Sequence, residues 1–193
     1  MRIVGGKFKG HAITPPAGQA TRPTTERVRE SLFNILAHGI AGFDIAGARV
    51  LDLFAGTGAM GLEALSRGAR FCQFVDDSAE SRGLIRRNAD ALGAIGLCKI
   101  WRRDATELGP CAPQPAFDLV FADPPYGKGL GEKALASLVA GRWLNPGAVV
   151  VLEEALKSPV GAVAGLELAD ERDYGDTKLR FYRPAGTQEN PTP

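Results

Sequence analysis

The chain has 193 residues, 45% of them hydrophobic and 23% charged, which is enough for one packed domain with a small extension and too little for a second full domain. A formal net charge of +1 excludes a protein coated in basic surface, and three separated cysteines, Cys72, Cys98 and Cys111, exclude a CxxC zinc site and a disulfide framework. No apolar stretch reaches membrane-spanning length or forms a signal-peptide core, so a cytoplasmic protein with reduced thiols and no membrane partner is expected.

Residues 1–14 alternate weakly and carry Gly5-Gly6 and Gly10, which predicts a small β-hairpin, broken by Pro15-Pro16-Ala17-Gly18. The basic side chains gather here. Arg2, Lys7, Lys9, Arg22, Arg27 and Arg29 stand against Glu26 and Glu30, leaving +4 over the first 30 residues and −3 elsewhere. Any contact with a polyanion falls to this cluster, which read alone is equally a solvated face. Residues 24–37 read as a helix with Val28, Leu32, Ile35 and Leu36 on its buried stripe, and Arg27, Glu30 and Asn34 beside it.

From residue 48, apolar runs of strand length alternate with helical patterns, the signature of a parallel α/β architecture. The runs are 49–54, 71–75, 97–101, 117–122 and 148–152. After the second, Asp77 and Glu80 suggest a capping box opening a helix that carries Leu84, Ile85 and Leu92. Residues 131–144 form another helix, with Asn145-Pro146-Gly147 as its stop. Two last runs, 166–168 and 179–182, joined through Tyr174-Gly175-Asp176, predict an antiparallel pair. Residues 185–193 are Pro-rich and polar, a disordered tail.

The first strand runs into Phe54-Ala55-Gly56-Thr57-Gly58-Ala59-Met60-Gly61, a GxGxxG loop between strand and helix, where an adenosine-containing ligand is expected. Asp52 sits where a dinucleotide would bring two phosphates, but it suits the ammonium of a cofactor with an amino-acid end. S-adenosylmethionine therefore fits better than NAD. Asp76 closes the second strand and is placed to accept both ribose hydroxyls; Asp104 follows the third and is placed to accept from the adenine amine. Singly, each Asp reads equally well as a helix cap or a loop residue. The fourth run ends in Asp123-Pro124-Pro125-Tyr126. Prolines donate no backbone hydrogen bond and hold the chain extended, so Asp123 and nearby carbonyls stay free to accept from the amine of a flat base while the Tyr126 ring stacks on it. Alone, the same letters describe a strand followed by a proline turn.

The chain resembles the class I S-adenosylmethionine-dependent methyltransferases and, more narrowly, the bacterial RsmD family, which methylates a guanine N2 of 16S ribosomal RNA. The resemblance rests on Asp52-Leu53-Phe54-Ala55-Gly56-Thr57-Gly58, on Arg22-Pro23-Thr24-Thr25-Glu26-Arg27-Val28-Arg29-Glu30 with Phe33-Asn34, on Asp123-Pro124-Pro125-Tyr126 and on Tyr174-Gly175-Asp176-Thr177. It implies a Rossmann-like sheet of seven mostly parallel strands closed by an antiparallel pair. It also implies an N-terminal hairpin and helix, residues 1–40, that contact RNA and cover the cofactor of a catalytic domain at 41–184. Small-subunit rRNA or the assembling small ribosomal subunit would be the partner, with no obligate protein partner, and S-adenosylhomocysteine the product. DNA amino groups or a protein glutamine are alternative acceptors. A nicotinamide dehydrogenase is the competing class, supported by GxGxxG with Asp76 about twenty residues on.

Overall fold

The computed structural model describes residues 1–16 and 26–186. Helix α1 (Glu26–His38) precedes β1 (Arg49–Leu53), α2 (Ala59–Ser66), β2 (Phe71–Val75), α3 (Ala79–Ala91), β3 (Cys98–Trp101), β4 (Phe117–Ala122), α4 (Leu130–Ala140), β5 (Leu144–Ala155), β6 (Leu166–Tyr174) and β7 (Thr177–Pro184). Seven strands form one sheet in the order β3-β2-β1-β4-β5-β7-β6. The first five run parallel and β7 is antiparallel to both neighbours, which bears out the fold class read from the sequence. The chain winds outward from β1 through β3 and then returns to place β4 beside β1. In such sheets the reversal opens a crevice at the carboxyl ends of the strands.

Two buried clusters cover the two faces. On one, Leu62 and Leu65 of α2, Ile85 and Ala89 of α3 and Leu32, Phe33 and Leu36 of α1 pack on Val50, Phe74 and Phe121. On the other, Leu135 and Leu138 of α4 and Trp143 pack on Leu51, Val120 and Leu152. Burial on both faces explains why these strands read as nearly continuous apolar runs. Ile3, Ile13 and α1 belong to the first cluster, so the first residues of the chain and α1 share their core with the sheet.

Four local expectations are corrected. The N-terminal hairpin is a loop closed by the single bridge Arg2 to Ala12, with a 3-10 turn at Gly6–Phe8. Its amides go elsewhere: Val4 N and Gly5 N each donate to Glu63 of α2 at 2.8 Å, and Phe8 N donates to Ser66 Oγ at 2.9 Å. Helix α3 is capped by Ser78, which accepts from Ser81 N, and Asp77 is not the cap. Helix α4 ends at Gly141, while Asn145-Pro146-Gly147 lies within β5, where the pairing with β4 shifts register between Phe117 and Leu119. A proline without an N–H is tolerated at such a bulge. Strands β6 and β7 are longer than the apolar runs that marked them.

Gly61 belongs to this packing. A Cβ there would lie 2.4 Å from both Cys72 Sγ and a Phe74 ring carbon, so α2 sits on β2 only because the position has no side chain. Gly61→Ala should lower unfolding free energy by about 1 to 3 kcal/mol, the usual cost of overpacking, as read from urea denaturation.

Candidate active site

The glycine loop is held from below and from the side by carboxylates. Phe54 (φ 55°) and Gly56 (φ 54°) both take left-handed conformations, turning the chain sharply out of β1. Asp52 Oδ2 accepts from Gly61 N at 2.9 Å, and Asp76 Oδ2 accepts from Gly56 N at the same distance. Asp76 Oδ1 also accepts from Ser78 N, so this one residue joins the loop to the start of α3. Asn88 of α3 completes the frame: Nδ2 donates to Thr57 O at 2.9 Å and to Thr14 O at 3.2 Å, while Oδ1 accepts from Thr14 N.

Beside the loop, a cavity of about 430 Å³ is lined by Phe54, Val75, Asp76, Asp77, Arg103, Asp104, Ala105 and Asp123 through Tyr126. Its walls come from the ends of β1, β2, β3 and β4, at the reversal of strand order. Asp104 Oδ1 accepts from Thr106 Oγ1 at 2.7 Å and from its amide at 2.8 Å. These bonds, hydroxyl first, hold its pKa below the ordinary value and keep it an acceptor. The Arg103 guanidinium lies 4.9 Å over the Trp101 ring and donates to Leu108 O.

Asp123 stands exposed at this cavity. The protein mass around it, then the charges of Glu153, Asp52 and Glu154, push its pKa above the ordinary carboxylate range. Because the side chain faces the open cavity, water moderates that push. Asp123 is thus a better proton acceptor than a free aspartate. The Tyr126 hydroxyl donates to Glu153 Oε1 at 2.7 Å and lies 3.4 Å from Thr177 Oγ1. Gly127 N donates to Glu154 Oε1 at 3.1 Å, fixing the chain just after the tetrapeptide.

The structure brings Phe54, Asp76, Asp104 and the whole tetrapeptide to one cavity, and it corrects several other expectations. Asp52 is only 3% exposed and lies under the loop, so it organises the turn instead of facing a ligand's ammonium. Gly61 packs against β2. Ala55 is buried and its N donates to Val75 O, and Gly58 has its Cβ direction filled by Ile85 and Phe74, so both shape the loop from within. Gly56 is open, since a Cβ there would meet only Phe54 O at 3.9 Å.

In the basic cluster, Arg29 is fully buried: it pairs with Glu63 at 3.4 Å and donates to Arg2 O, so it is a core cation and not an RNA contact. Burial pulls its pKa down and Glu63 pushes it back up. Arg2, Lys7, Lys9 and Arg27 are exposed. Lys7 and Lys9 flank the turn that meets Ser66, at the opposite end of α2 from the glycine loop. Arg22 lies outside the described residues. The sequence reading missed Arg103, Glu153, Glu154 and Asn88. The two glutamates carried a signal, an acid just past an apolar strand, the same mark that found Asp76 and Asp123. Among the described residues no His/Cys/Asp/Glu group could hold a metal ion, and no helix is long and apolar enough to cross a membrane.

A seven-stranded sheet of this order, with an acid-edged cavity at its reversal and a proline-rich tetrapeptide after β4, defines a class I methyltransferase. The chain belongs to the RsmD family: the family model described as Conserved hypothetical protein 95 matches residues 1–183. It is 36% identical over 185 residues to Ribosomal RNA small subunit methyltransferase D of Escherichia coli (strain K12), covering 95% of this chain and 89% of that one. It is 35% identical over 190 residues to YlbH of Bacillus subtilis (strain 168), covering 96% and 100%. The solved structure of yhhF from Escherichia coli superposes with a TM-score of 0.80 at 33% identity, covering 95% of this chain and 97% of that one. Membership in a methyltransferase family implies S-adenosylmethionine as methyl donor and removes the dehydrogenase alternative.

Burial, opposed by the Gly61 bond and assisted by Asp76, raises the pKa of Asp52 from 3.8 to about 8. An acid whose folded pKa exceeds its unfolded value adds stability below the unfolded value and loses it as pH rises through the folded one. The melting temperature of ligand-free protein should therefore fall between about pH 4 and pH 8, and Asp52→Asn, which keeps an acceptor for Gly61, should flatten that fall. Calorimetry across this window checks it.

Proposed function

We propose that the protein transfers a methyl group from S-adenosylmethionine to the exocyclic N2 amine of a guanine in small-subunit ribosomal RNA. The observation that carries this reading is the single cavity in which Asp123 and Tyr126 face Asp76 and Asp104. Its volume is in the range of small-molecule sites. The residues fit the cofactor chemically: Asp76 suits ribose hydroxyls, Asp104 an adenine amine, Phe54, Val75 and Ala105 the flat ring, and the amides around Gly56 a carboxylate. When bound, the cofactor supplies a sulfonium-activated methyl and leaves as the neutral thioether S-adenosylhomocysteine.

The chain's residues supply position and a proton acceptor. Pro124 and Pro125 offer no competing N–H, so Asp123 can accept from the guanine N1–H and N2–H, two adjacent donors that a carboxylate takes together. The aromatic amine is a weak nucleophile, because its lone pair is conjugated into the ring. Orientation of that amine by Asp123 and Tyr126 toward a bound methyl donor would supply up to about 7 to 11 kcal/mol. As the N–C bond forms, the nitrogen becomes cationic, and Asp123 takes its proton. Stacking on Tyr126 contributes about 1 to 3 kcal/mol, offsetting part of the cost of extruding the base. Exposed Arg2 and Arg27 would contact phosphates, with Lys7 and Lys9 reaching RNA farther from the cavity.

Asp123→Ala should abolish transfer of labelled methyl to small subunits while S-adenosylhomocysteine binds as in wild type; undiminished turnover would refute the assignment. NADH should not bind. Tyr126→Ala should weaken RNA-dependent activity and spare cofactor affinity. Replacing Arg2 and Arg27 with Ala should reduce the salt slope of RNA binding by roughly one per lost phosphate contact, whereas an unchanged slope removes them from the contact surface.

A further inference from the structure

Behind Tyr126, outside the residues that line the cavity, lies a glutamate that neither the glycine loop nor the tetrapeptide supplies. Strands β4 and β5 are parallel and in register, with Ala122 opposite Leu152, so Asp123 and Glu153 are the next residues on neighbouring strands. Phe121 and Val151, two positions earlier on each strand, both belong to the α1 and α2 face, which puts the two carboxylates on that same side. Glu153 is 7% exposed, and its Oε1 receives the Tyr126 hydroxyl at 2.7 Å.

We propose that Glu153 is a positioning residue for methyl transfer: through the Tyr126 hydroxyl it fixes the aromatic platform, and it holds a second carboxylate beside Asp123. This rests on the reading of the cavity as a guanine N2 site. A tyrosine ring is otherwise free about two side-chain bonds, and a loop placement after β4 leaves both to be fixed by whatever meets its tip. A charge-assisted bond to a residue anchored in a central strand is a strong way to do so. Phenylalanine would stack equally well on a base, so the hydroxyl serves this anchor.

The second effect is electrostatic. The charges that act on Asp123 are those of Glu153 and Glu154 of β5 and Asp52 of β1; Glu153 meets the Tyr126 hydroxyl, which also lies 3.4 Å from Thr177 Oγ1 of β7. Two carboxylates on adjacent strand ends resist being charged together, and this sharpens the affinity of Asp123 for the proton that the methylated amine gives up. When that proton passes on to water, the pair returns to its starting charge.

The test uses full-length wild type, Glu153→Gln and Tyr126→Phe with labelled S-adenosylmethionine and small ribosomal subunits from cells lacking this gene. Tyr126→Phe should lower kcat about tenfold, the worth of a hydrogen bond to a charged group, with S-adenosylhomocysteine affinity unchanged. Glu153→Gln should move the acid limb of the kcat profile down by about one pH unit, because a like charge is removed beside Asp123. A merely structural glutamate would leave that limb in place. Independently of turnover, phenolate absorbance should show a tyrosine titrating at lower pH in Glu153→Gln than in wild type, a change absent when Tyr126→Phe is added. Both kinetic effects, with the absorbance shift, establish the role. A kcat within twofold of wild type in Tyr126→Phe, an unmoved acid limb in Glu153→Gln, or an unmoved absorbance titration overturns it. Wild type that transfers nothing to the subunits refutes the guanine N2 reading, while the titration still decides whether Glu153 holds Tyr126.

Discussion

The parallel pairing of β1 with β4 is the constraint on which the rest of the molecule depends. It aligns Leu53 with Ala122, so the chain leaves the sheet at neighbouring points into two different structures, a glycine loop and a proline-rich loop. One is shaped by left-handed residues and the other by residues that cannot donate. Because both exits share a register, the proposed seats for a cofactor and for an amine meet at one cavity. A one-residue slip of β4 would turn Asp123 to the α4 side and lose the meeting.

Around that junction the protein gathers acidic groups and few bases. Asp52 and Glu153 lie just before strand ends and Asp76, Asp104 and Asp123 just beyond them, whereas Arg103 is the cationic side chain in the cavity wall. Their tasks separate by burial. Asp52, sealed beneath the loop, orders backbone; Asp76 both orders backbone and lines the cavity; Asp104 is kept ionised by Thr106; Asp123 is pushed toward holding a proton. An acidic wall selects donors and cations: hydroxyls and amines donate to it, and a sulfonium brings a positive charge. Polyanion attraction therefore has to come from surface outside the cavity.

Much of this architecture was legible because strands buried on both faces must be apolar throughout, and because acids at their ends interrupt the run visibly. The illegible parts depend on long-range pairing. Arg29 on an amphipathic helix reads as a solvent-facing base, and only Glu63, on another helix, explains why it is buried. Glycines 5 and 6 signal a tight hairpin, but their chain is claimed by Glu63 and Ser66. Asn145-Pro146-Gly147 carries every mark of a terminator and instead forms a bulge opposite β4. Glu153 was missed because the strand reading stopped at Leu152, one residue short of the position that register places beside Asp123.

Glu63 has a consequence for how the molecule is partitioned. Fully buried in α2, it accepts from Val4 N, Gly5 N and Arg67 Nε and pairs with Arg29 of α1, so one carboxylate collects donors from the first residues of the chain and from two helices. Stripping away those first residues would strand part of a charge in a dry interior, a loss far larger than the apolar surface they cover. The segment that looks like an accessory to the catalytic sheet is thus a solvation shell for its interior, and folding and the N-terminal surface stand or fall together.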